Sequence, residues 1–124
     1  MKKFLIAASV ALLPTAAFAD AAQEIATAQT HAGLAAKAPA IDGIHMHLHH
    51  ALNCLVGPKG DGFDAAPGNP CGSQGNGAIP DGSDAQKAKL TPAVATLKAG
   101  IASSDPAAAA KSATDAAAEI GGAK

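Results

Sequence analysis

PAIDGIHMHLHHALNCLVGP, residues 39–58, contains the features that decide the fold of this chain. Its apolar residues recur at helical spacing, at Ile41, Ile44, Leu48, Leu52 and Leu55. Pro39 precedes the pattern and Gly57-Pro58 ends it, as is typical of the two ends of a helix. The stretch therefore predicts an amphipathic helix over about residues 40–56.

Three other helices are predicted from composition and from turn residues. An Ala-rich segment without Pro predicts a helix over residues 21–37. The helical spacing of apolar residues resumes over residues 84–103, where Thr91-Pro92 either begins the helix or kinks it. Asp105-Pro106 supplies an N-cap and a first residue for a helix over about 106–120.

Residues 57–83 are different in kind, because Gly, Pro, Asn, Asp and Ser follow one another at short intervals and predict a long loop. In an exported chain the default state of Cys54 and Cys71 is a disulfide, which would tether this loop to the second helix. We therefore expect an all-α fold, a four-helix bundle of two helical hairpins joined by a Gly/Pro-rich, disulfide-tethered loop.

The N-terminal segment predicts export. Lys2 and Lys3 precede an apolar run over residues 4–13, and Ala17-Phe18-Ala19 is a small-x-small cleavage signal. We expect a signal peptide over residues 1–19 and a single helical domain over 20–124, in the periplasm or secreted. The apolar run is too short for a membrane span, so no membrane anchor is expected.

Composition excludes several function classes. Removal of Lys2 and Lys3 with the signal changes the formal net charge from −1 to −3, and the chain contains no Arg, Trp or Tyr. Without a basic patch or stacking residues, nucleic-acid binding is not expected. Gly-x-Ser-x-Gly, His-Glu-x-x-His and phosphate-loop motifs are absent, which favours a binding protein over an enzyme. Absence of Cys-x-x-Cys-His excludes covalent haem.

Four of the five histidines lie within residues 45–50, and imidazole is the commonest metal ligand in proteins. His45 and His49 are an i, i+4 pair that projects from one helix face, at the edge of the apolar stripe. If the turn before this helix centres near Ala38, His31 lies at the height of His45. We therefore predict a site for copper, zinc or nickel formed by His31, His45 and His49.

Further donors lie on the same helix. His47 and His50 are an i, i+3 pair that could form a second, more exposed site, although the helical wheel directs His47 toward Cys54 and His50 into solvent. The fourth ligand of the main site is open between water, Met46, Asp42 and a loop carboxylate. Coordination by the Met46 thioether would favour Cu(I).

The chain resembles the small, His-rich, exported helical metal-binding proteins of Gram-negative bacteria. The resemblance covers mainly residues 23–56 and rests on the signal peptide, the Ala-rich hairpins and the segments Gln29-Thr30-His31-Ala32 and His49-His50-Ala51-Leu52. The chain departs from that pattern because its histidines end with the second helix and because the loop with the two cysteines is additional. This departure favours one defined site over many weak sites.

These observations lead us to expect a periplasmic metal buffer, carrier or sensor with a protein partner for metal transfer. Two alternatives are open. Non-covalent haem b could be held by two of His31, His45 and His49, although a chain rich in Ala supplies few bulky walls for a haem pocket. A scaffold module could instead use the tethered loop, with Phe63 as an anchor for a partner.

Overall fold

The computed structural model describes the backbone of residues 16–124 and the side chains of residues 21–124. This part of the chain contains five helices and no strand, which confirms the predicted all-helical class. The helices are α1 (Ala16–Lys37), α2 (Ile41–Val56), α3 (Ala78–Asp81), α4 (Asp84–Ala102) and α5 (Pro106–Gly121). None of the described helices combines the length and the apolar character that a membrane crossing requires. The predicted signal peptide lies largely outside the described residues, and its cleavage stays a prediction.

Capping chemistry sets the ends of the C-terminal helices. The Ser83 side chain accepts the N–H of Gln86, whose side chain accepts the N–H of Ser83 in return. This capping box begins α4 early, so that Pro92 lies inside the helix and does not begin it. Asp105 caps α5 by accepting two backbone N–H groups of the first turn, with Pro106 as the first helical residue.

The four long helices share one buried apolar cluster. α1 packs against α2 and α5, and α4 packs against α5 and α2. The largest apolar members of the cluster are Ile25, Ile44, Leu48, Leu52, Leu55, Leu90, Leu97 and Ile120. Most of the others are Ala, whose small side chain lets helices approach closely. The four-helix bundle arrangement itself stays a prediction.

The segment between α2 and α4 contains one element that the sequence reasoning missed, the short helix α3. Residues 57–77, which precede α3 and are here called the disulfide loop, begin and end close to one another in space. Gly57 and Gly77 meet there, both with positive φ (71° and 117°), and a Cβ on Gly57 would lie 1.7 Å from the Asn76 carbonyl oxygen. Glycine is therefore required where the loop closes.

The predicted disulfide between Cys54 and Cys71 is present, with both cysteines buried and their Cα atoms 5.2 Å apart. Phe63 is half-buried and packs against the apolar cluster. It is therefore part of the packing beneath the loop, and does not project as an exposed anchor.

Candidate metal centre

α1 and α2 bring three histidines together. His31 comes from α1, and His47 and His50 come from one face of α2, where an i, i+3 spacing places them side by side. One ligand nitrogen of each lies within 4.8 Å of the others. Among the residues that the structure describes, no other set of three His, Cys, Asp or Glu side chains meets this spacing. We call these three residues the histidine triad.

The rings of the triad converge and do not form a stack. The His50 ring stands nearly perpendicular to the other two, at 87° to His31 and 79° to His47, with centroids 4.9 and 5.7 Å away. His31 and His47 are tilted by 32°, and their Nδ1 atoms lie 3.2 Å apart. All three residues are half-buried, so the cluster remains partly accessible to solvent.

The orientation of His50 is set by a backbone carbonyl. Its Nε2 lies 2.6 Å from the Pro67 carbonyl oxygen, which can only accept, so Nε2 carries the proton and donates it. In the neutral ring Nδ1 then has a free lone pair. This Nδ1 is buried and has no hydrogen-bond partner in the part of the chain that the structure describes. A buried, unpaired imidazole nitrogen beside two other imidazoles is an arrangement suited to a metal ion.

The electrostatics of two triad members, His31 and His47, favour neutral imidazoles. Burial, followed by the nearby His50 and His47 rings, lowers the pKa of His31 below its ordinary value of 6.5. Burial also lowers the pKa of His47, with a further contribution from His50. The neutral forms, which can coordinate a metal, are therefore favoured at neutral pH.

The disulfide loop is held against α2 by a buried asparagine. The Asn53 amide donates to the carbonyl oxygens of Asp64 (2.6 Å) and Gly68 (2.8 Å). Its Oδ1 accepts the Asp64 N–H at 3.0 Å. Asn53 is fully buried, and these bonds fix the loop on both sides of Pro67, the residue that contacts His50.

The structure corrects the predicted grouping of His31 with His45 and His49. The Nε2 of His45 bonds to the Ser103 carbonyl oxygen at 2.8 Å, beyond the end of α4. His49 lies beside Asp64, with 4.0 Å between the His49 Nδ1 and the nearest Asp64 carboxylate oxygen. His50, predicted to point into solvent, belongs to the triad together with His47.

The error has two physical causes. The helical wheel identified the buried stripe of α2, but periodicity does not say on which flank of that stripe α1 packs. The structure places α1 on the flank of His47 and the α4–α5 connection on the flank of His45. In addition, the disulfide loop folds over the face that carries His50, a contact that α2 alone could not reveal.

The other proposed ligands, Met46 and Asp42, lie on exposed positions of α2. Met46 is 42% exposed, and Asp42 is exposed and does not meet the spacing of the triad. Asn53 was not identified from the sequence, although its position in an apolar run indicates its role. It is the only hydrogen-bonding side chain in the run Ala51–Val56, which indicates a buried polar group that needs partners.

No protein-family model, curated protein or solved structure matches this chain.

Proposed function

We propose that this protein is an exported metal-binding protein that holds one transition-metal ion with the imidazoles of His31, His47 and His50. The observation that carries the proposal is the convergence of three ligand nitrogens within 4.8 Å on two packed helices. A buffer, carrier or sensor of copper, zinc or nickel would use such a site.

The spacing of two of these nitrogens supports a shared ion. Two imidazole nitrogens on one tetrahedral Zn²⁺, each at about 2.0–2.1 Å, lie about 3.3 Å from one another. The two Nδ1 atoms of His31 and His47 are 3.2 Å apart. A small adjustment of the half-buried side chains would bring His50 to the same ion.

The donor set points to a class of metal. Three neutral nitrogen ligands suit Zn²⁺, Cu²⁺ and Ni²⁺, whereas Mg²⁺ and Ca²⁺ prefer oxygen. Three protein ligands leave a fourth position for water or for a donor from another protein. An open position suits a carrier or buffer, since an incoming ligand can bind before the protein ligands leave.

The same spacing favours an ion over haem. Two axial imidazoles must lie on opposite sides of a porphyrin, whereas the His31 and His47 nitrogens approach one another directly. For the location, a disulfide fits an oxidising compartment such as the periplasm, in keeping with the signal peptide expected over residues 1–19.

Metal titration of the purified protein tests the proposal. Zn²⁺, Cu²⁺ and Ni²⁺ are titrated in competition with a chromophoric chelator, first into the wild type and then into single His→Ala variants. We expect one ion per chain, with binding weakened at least about tenfold by His31→Ala, His47→Ala or His50→Ala.

Matched controls come from the same helix. His45→Ala and His49→Ala remove imidazoles that lie outside the triad, and we expect wild-type affinity from both. A wild type that binds none of the three metals, or a control variant that loses as much affinity as His47→Ala, would contradict the proposal.

A further inference from the structure

We infer that the disulfide loop is a positioning element of the metal site, because it holds His50 in the tautomer and orientation that present Nδ1 to the ion. The inference rests on the proposed function and extends it to the loop. Pro67, Asn53 and the Cys54–Cys71 disulfide become supporting groups of the site, although none of them would touch the metal.

The Pro67 carbonyl fixes the orientation of the His50 ring. Metal-binding histidines commonly donate their second ring N–H to a carbonyl or carboxylate, which fixes the tautomer and raises the basicity of the ligand nitrogen. Pro67 supplies such a carbonyl to His50 Nε2 at 2.6 Å. The nitrogen left over, Nδ1, is buried and has no hydrogen-bond partner among the described residues.

The attachments of the loop surround this carbonyl. Asn53 binds the backbone at Asp64 and Gly68, which encloses Pro67 between two fixed points. The disulfide fixes the chain again at Cys71. His50, Asn53 and Cys54 are related by i, i+3 and i, i+4 spacing, so one face of α2 carries both a triad histidine and the attachments of the loop.

The loop also forms hydrogen bonds with α1, the helix that carries His31. The Thr27 hydroxyl and the Gln74 amide form two hydrogen bonds, of 3.2 and 3.0 Å, one turn before His31 on α1. In addition, the fully buried Glu24 accepts the N–H of Gly77 at 2.8 Å. The loop therefore spans both helices of the triad and constrains their relative position.

Two variants release the loop by independent routes. Cys54→Ala/Cys71→Ala removes the covalent attachment, and Asn53→Ala removes the amide attachment. Asn76→Ala is the matched control, because Asn76 is an exposed asparagine of the same loop whose side chain, among the described residues, donates a hydrogen bond to Asp81 only. Circular dichroism at low temperature checks that each variant remains helical, and one folded release variant suffices for the test.

The first readout is nitrogen-15 NMR of the histidine rings in the metal-free protein at pH 8. We expect His50 to be a single Nε2–H tautomer in the wild type and in Asn76→Ala, and a mixture of tautomers in the two release variants. His45 is an internal control in the same spectrum, because its Nε2 donates to Ser103, outside the loop. A general loosening of the fold would alter both residues.

The second readout is zinc affinity. We expect the release variants to bind Zn²⁺ about 10–100-fold more weakly than the wild type, the usual effect of losing an outer-shell partner. Asn76→Ala should bind as the wild type does. If a folded release variant keeps both the wild-type affinity and the single His50 tautomer, the positioning inference is overturned while the proposed function stands. If the wild type binds no Zn²⁺, Cu²⁺ or Ni²⁺, both are overturned.

Discussion

Replacing Asn53 with Ala should destabilise the protein more than any exposed substitution in the disulfide loop. The side chain is fully buried and makes three hydrogen bonds to backbone groups of the loop. At about 1 kcal/mol net for each bond, the free energy of unfolding should fall by about 3 kcal/mol. For a domain of this size, that corresponds to a melting temperature lower by about 12 °C.

Urea unfolding followed by circular dichroism measures this loss. Asn76→Ala is the control, with an expected change within about 0.5 kcal/mol because its side chain is exposed. Asn53→Asp should be at least as damaging as Asn53→Ala at pH 7, because an ionised carboxylate would face the carbonyl oxygens of Asp64 and Gly68. If Asn53→Ala loses no more stability than the control, this side chain does not hold the loop.

Three further outcomes are expected. The pKa values of His31 and His47 are lowered in the folded chain, so as the pH falls these residues take up protons more readily in the unfolded chain. The metal-free protein should therefore keep its full stability above pH 6.5 and lose stability below it. Urea midpoints at pH 8 and pH 5 check this, and equal midpoints would contradict it. Zn²⁺ at 100 times its Kd should raise the free energy of unfolding by about 2.7 kcal/mol in thermal scans, a gain that His45→Ala keeps and His47→Ala loses. Removing both cysteines, Cys54 and Cys71, should lower the unfolding free energy by about 3 kcal/mol in the same urea assay; a loss below about 1 kcal/mol would argue against loop tethering.

Local chemistry made much of the secondary structure predictable. The apolar spacing of α2 identified Ile44, Leu48 and Leu52, which are buried as a helical stripe requires. Asp105 and Pro106 marked the start of α5 correctly. These features depend on neighbours three or four residues apart, which a sequence displays directly. Pro92 shows where such local patterns are ambiguous. Thr91-Pro92 could have begun a helix, but the capping box at Ser83 begins α4 earlier, so Pro92 lies inside the helix.

The membership of the site was harder to predict because it depends on tertiary contacts. On α2, His45 and His47 border opposite edges of the same buried stripe, and only the side on which α1 packs decides between them. His50 faces away from the stripe and would be exposed on an isolated hairpin. It is covered because Asn53 and the disulfide fold residues 64–71 back over α2.

A carbonyl partner alone does not make a histidine a ligand of this site. His45 and His50 both donate Nε2–H to a backbone carbonyl, and both are left with a bare Nδ1. They differ in their surroundings, since His50 lies against two other imidazoles and His45 belongs to no such group within the described residues. The contacts that create the difference join His31 to His47 and His50 to Pro67, which are 16 and 17 residues apart in the chain. The proposed site therefore exists only in the folded chain, and metal binding and folding must be thermodynamically coupled.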